Sequence, residues 1–118
     1  MQVSKQKINP QLETQILQMW YQLIVDIKTA EEAREIMSSL LSETELTAVT
    51  KRLAVGYWLT NGRSYENIKD NIKVSSATIA VMQQELKKPG WKMALLKVKA
   101  EEWATKWEGK IKSIFGKI

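Results

Sequence analysis

Apolar residues recur at three- and four-residue intervals along most of this chain, and no stretch sustains the alternation of a strand. That spacing predicts an all-α fold of six helices with short connections. Asn9 can cap and Pro10 can start the first helix, with Leu12, Ile16, Met19, Trp20, Leu23 and Ile27 along one side. Thr29 with Glu32 forms a capping box for the second, in which Ala33, Ile36, Met37 and Leu40 face inward. Ser42 with Glu45 repeats the signature for the third, whose apolar side carries Leu46, Val49, Leu53, Tyr57 and Leu59. It ends at Asn61-Gly62, where a glycine can take the left-handed conformation that closes a helix.

The segment from Ser64 to Leu86 reads as two short helices joined by a tight turn, the pattern of a helix-turn-helix. Ser64 can cap the first, and Tyr65, Ile68 and Ile72 give it a buried face. Asn71 to Val74 make the turn, and Ser75 or Ser76 can cap the second helix, which packs through Ile79, Met82 and Leu86. The opposite face is expected to carry Ser76, Thr78 and Gln83, small polar groups able to enter a major groove. Serines at a helix start are also ordinary caps, so Ser75, Ser76 and Thr78 have a structural reading beside the functional one.

The last helix is amphipathic in a different way. At about 100° per residue, Trp103, Ala104, Trp107, Ile111, Ile114, Phe115 and Ile118 fall within an arc of roughly 120°, and Met93, Leu96 and Ala100 continue it upstream. Lys106, Lys110, Lys112 and Lys117 fall outside. Such a stripe packs on the chain's own dimer, docks on another protein, or lies on an anionic membrane.

Charge sharpens this picture. Residues 87–118 hold nine lysines against three glutamates, a net +6, which leaves −1 on the first 86 residues of a chain whose formal charge is +5. A basic end on a nearly neutral body suits attraction to a polyanion, with a solvated lysine face as the plain alternative. The absence of Cys and His removes disulfides, thiolate chemistry and the commonest metal ligand and general base. No cofactor, no metal and no enzymatic activity are therefore expected. The 118 residues suit a single domain, divided into dimerisation helices (9–41), a helix-turn-helix core (42–88) and a basic amphipathic helix (89–118). The start, MQVSKQKINP, lacks the apolar run of a signal peptide, and no segment approaches the roughly 20 apolar residues of a membrane span. A cytoplasmic protein is expected, and a membrane partner is not.

The runs LSETELTAVTKRL (Leu41–Leu53), NGRSY (Asn61–Tyr65) and VSSATIA (Val74–Ala80), in that order, resemble the Trp repressor superfamily, and more closely its YerC/YecD-type branch. The resemblance covers about Leu12 to Leu86. It implies a transcriptional regulator, a repressor by expectation, that binds double-stranded DNA as an intertwined homodimer through interlocked N-terminal helices. The surplus apolar surface of Trp20, Tyr21, Ile24 and Ile27 agrees with that, although these residues could also fill one monomer's core. Lys69 matches a lysine that contacts DNA in the family. The full set of candidate DNA-binding residues is Lys51, Arg63, Lys69, Lys73, Ser75, Ser76, Thr78, Ala80 and Gln83.

Three positions depart from the family pattern. Val81 stands where an arginine usually follows the ATI-x run, and Met82 stands where Trp repressor has a glycine that leaves room for its ligand. Arg52 matches the arginine that pairs with the ligand carboxylate, yet with its companions replaced no tryptophan site is expected. Lys73 occupies a turn position usually held by glycine, so this turn either costs about 1 kcal/mol or takes another shape. The lack of Arg or Lys from Ser75 to Leu86 leaves open a helical interaction module without DNA readout, and the last helix alone leaves open a membrane-surface binder.

Overall fold

Local capping chemistry sets where most of the helices begin. In the computed structural model, which describes the backbone of residues 1–115 and the side chains of residues 1–102, six helices follow one another: α1 Pro10–Asp26, α2 Ala30–Leu40, α3 Glu43–Thr60, α4 Tyr65–Ile72, α5 Ser76–Glu85 and α6 Pro89–Phe115. No strand occurs among the described residues. Asn9 Oδ1 accepts from the Gln11 N–H at 2.9 Å, and Thr29 Oγ1 accepts from the Glu32 N–H at 3.1 Å. At α3 the capping box closes in both directions: the Ser42 N–H donates to Glu45 Oε1 at 2.8 Å and the Glu45 N–H to Ser42 Oγ at 3.1 Å. The Ser42 backbone N–H, and after it the Ser42 hydroxyl, hold the Glu45 carboxyl below its ordinary range. Such a depressed group contributes at neutral pH and loses its contribution as the pH falls through the lowered value. The αL glycine expected after α3 is Gly62, at φ 79°.

The chain divides into two units, Met1–Leu46 and Thr47–Ile118. In the first, neither α1 nor α2 contains a buried residue. Trp20, Leu23, Ile27, Ile36 and Met37 are half-buried, whereas Met19, Tyr21, Val25 and Leu40 are more than half exposed. Leu40 therefore does not face inward within the chain.

The second unit holds the core. Val55, Ile68, Ile79 and Met82 form its centre, with Trp58, Leu59, Ile72, Val74 and Trp91 packed around them. The stripe expected on α3 is corrected here: Val49 and Leu53 are exposed, and the residues that α3 buries are Val55 and Gly56. Residues 54–59 are all buried or half-buried, so that stretch of α3 is packed on more than one side and a single stripe does not describe it, while Val49 and Leu53 lie before it. A Cβ on Gly56 would stand 2.6 Å from the Trp91 ring and 3.2 Å from a Leu86 methyl carbon, so the glycine is what lets α6 lie against α3. Tyr65, expected on the buried face of α4, is 40% exposed.

Along α6, the inner side is Trp91, Leu95, Val98 and Glu102, the last accepting a hydrogen bond from the Tyr57 hydroxyl. Met93 and Leu96 point the other way, at 63% and 71% exposure. The side chains of the Trp103, Trp107 and Ile111 stripe lie outside the described residues. No described helix is long and apolar enough to cross a membrane.

Candidate nucleic-acid interface

The pairing of α4 with α5 rests on Ile68 and Ile79, both wholly buried. Ser64 Oγ caps α4 by accepting from the Asn67 N–H at 3.1 Å. Of the two serines offered as caps for α5, Ser75 takes the role, its Oγ accepting from the Thr78 N–H at 3.1 Å, and Ser76 is the first helical residue. The turn is shorter than the expected Asn71 to Val74, because Asn71 belongs to α4 and donates from Nδ2 to the Asn67 carbonyl at 2.8 Å.

Lys73 keeps the left-handed conformation, φ 63° and ψ 55°, without the glycine that would adopt it freely. Its N–H donates to the Lys69 carbonyl at 3.0 Å, and Lys51 Nζ donates to the Lys73 carbonyl at 3.4 Å. Both bonds hold the turn by its backbone, so they survive a change of side chain. Lys73→Gly is therefore expected to raise stability by up to about 1 kcal/mol, less the added entropy of the unfolded chain. A urea titration that gave a lower midpoint for Lys73→Gly would show that the lysine side chain itself supports the turn.

These partners bear on each candidate residue. Lys51 is half-buried and engaged with the turn. The Arg63 guanidinium lies 3.9 Å from the Trp58 ring centroid and donates to Asn67 Oδ1 at 3.1 Å, so it is held to its own chain. Lys69 and Lys73 are exposed on α4 and its end. Thr78 is exposed, but its hydroxyl shares a hydrogen bond of 2.9 Å with Ser75 Oγ. Ser76, Ala80 and Gln83 are exposed as well.

Helical geometry refines which of them look outward. With Ile79, Met82 and Leu86 on the packed arc, the side of α5 directly opposite is made by Ala77, Ala80, Val81 and Gln84, all exposed. Ser76 and Gln83 sit on one flank and Thr78 on the other. Ala77 and Val81 carry no polar group to mark them as outer residues, and in sequence Gln84 is as polar as Gln83. The missing signal was the position of each residue relative to Ile79.

Beside α5 lies a cleft of about 550 Å³ lined by Arg52, Ala77, Thr78, Val81, Met82, Glu85 and Trp91. Arg52 thus does stand at a concave site. Its neighbours Val81 and Met82 are aliphatic, and Met82 is a core residue at 5% exposure. No planar cation faces Arg52 among the lining residues to stack on an indole.

The family model described as Trp repressor protein matches residues 15–99. The chain belongs to the Trp repressor family. The crystal structure of a TrpR-like protein from Eubacterium eligens is similar to it, with a TM-score of 0.69 and 24% identity over 77% of this chain and 96% of that one. At that identity the likeness supports the fold. No curated protein matches the chain. Within the Trp repressor family the α4 and α5 pair is the helix-turn-helix, and the part of α6 after Lys99 runs past the family match.

Proposed function

We propose that this member of the Trp repressor family is a sequence-specific regulator of transcription that binds duplex DNA as a homodimer and represses by occlusion, with α5 entering the major groove. The observation that carries this reading is the α4 and α5 pair itself: a buried inner arc on Ile68, Ile79 and Met82, and an α5 whose outer side is open. Lys69 and Lys73 are the phosphate contacts, with Ser76, Ala80 and Gln83 near the bases. Lys51, Arg63, Ser75 and Thr78 have partners within the chain and serve first to hold the motif. Lys87, Lys88, Lys92, Lys97 and Lys99 are exposed and add sequence-independent attraction. The reading is non-catalytic and cytoplasmic.

Selection from random duplex DNA, followed by binding isotherms at several salt concentrations, tests it. An enriched sequence is expected, and Lys69→Ala should weaken all duplexes alike while flattening the salt slope by about one unit. No enriched sequence, with only weak binding at low salt, would instead favour a helical interaction module. The absence of Arg and Lys from Ser75 to Leu86 is the observation on that side.

A further inference from the structure

We infer that α5 reads thymine methyl groups and adenine, so that the DNA positions beneath it are A·T pairs. This rests on the DNA-binding reading above and narrows it to a class of site.

Each base edge in the major groove asks for a different group. Guanine is read by the fork of Arg or by Lys, cytosine by a carboxylate that accepts from its amino group, adenine by an Asn or Gln amide, and thymine by an apolar contact with its C5 methyl. From Ser75 to Gln84 there is no ionisable side chain. The next residue, Glu85, is half-buried and paired with Lys88 at 2.5 Å. The nearby Arg63 is stacked on Trp58, and the Thr78 hydroxyl is shared with Ser75. Neither a guanine fork nor a free carboxylate for cytosine is offered by α5.

What the outer side of α5 does offer is methyl groups and one amide. Ala77 and Ala80 stand one turn apart, Val81 beside Ala80 is 60% exposed, and Gln84 follows one turn beyond Ala80. On the open surface Gln84 Oε1 accepts from Lys87 Nζ at 3.1 Å, a contact that adenine N6 and N7 would replace in the groove. Pressed against a G·C pair, Val81 and the alanines would cover base donors and acceptors without replacing their water, which is costly. Against thymine the same side chains meet a methyl. The helix therefore favours A·T pairs both by what it matches and by what it would leave unpaired.

The test alters the DNA and leaves the protein intact. Duplexes enriched by the full chain are remade with deoxyuridine at single thymines, which removes the C5 methyl and keeps the base pair. At thymines beneath α5, affinity should fall about fourfold per methyl, the value of one buried apolar carbon. Thymines outside the α5 footprint should tolerate the exchange. Val81→Ala, at an exposed position, should shrink the penalty at one thymine and leave the others unchanged. Enriched duplexes with G·C pairs beneath α5, or uracil and thymine duplexes bound equally, would overturn the inference while leaving DNA binding in place. Failure to enrich any sequence would remove both.

Discussion

Ile79→Ala should cost about 3 kcal/mol of folding free energy, a large share of what a domain of this size has. Ile79 is wholly buried between Ile68, Val55 and Met82, so truncation removes apolar contact and leaves a cavity that α4 and α5 cannot easily close. A urea titration should show a lower midpoint with an unchanged slope, since the surface exposed on unfolding stays almost the same. Val81→Ala, two residues along and on the open side, should stay within about 0.5 kcal/mol. Equal midpoints for the two variants would mean that α4 and α5 are not joined by this core, and the motif would lose its rigid support.

The contrast between Ile79 and Val81 also shows how much was legible in the sequence. Helix number, the caps at Asn9, Thr29, Ser42 and Ser64, and the burial of Ile68, Ile79 and Met82 follow from spacing and capping chemistry, which are local. The inner residues of α3 do not. Where a helix is packed on more than one side, periodicity no longer separates inside from outside, and the close approach at Gly56 depends on Trp91, thirty-five residues along the chain. Lys73 was recognisable as an awkward turn residue, yet the bond from Lys51 to its carbonyl spans too much sequence to be read from a pattern. The same holds for Arg63 on Trp58: a basic residue near the motif reads as a phosphate contact until its neighbours are known. Polarity does not separate Gln84 from Gln83 on α5 either; only their angles from the buried Ile79 do.

Ile24→Asp is expected to break the proposed dimer. Helices α1 and α2 bury no residue within their own unit, and Leu12, Ile16, Leu17, Met19, Tyr21, Ile24 and Val25 are all at least 40% exposed. A surface of that kind on a 17-residue helix is difficult to maintain in water unless a second copy covers it. A carboxylate placed inside such an interface has no partner on α1 that could neutralise it, and an unpaired buried charge costs several kcal/mol. Light scattering at micromolar concentration should give twice the chain mass of 13.6 kDa for the parent and a single or unfolded chain for the variant. Gln15→Asp is the control, because Gln15 lies on the opposite side of α1 and is exposed. With two recognition helices needed to span neighbouring half-sites, loss of the dimer should also lower DNA affinity more than any single phosphate contact does. A parent that scatters as one chain, or an Ile24→Asp variant that stays paired, would place the partner of these helices elsewhere.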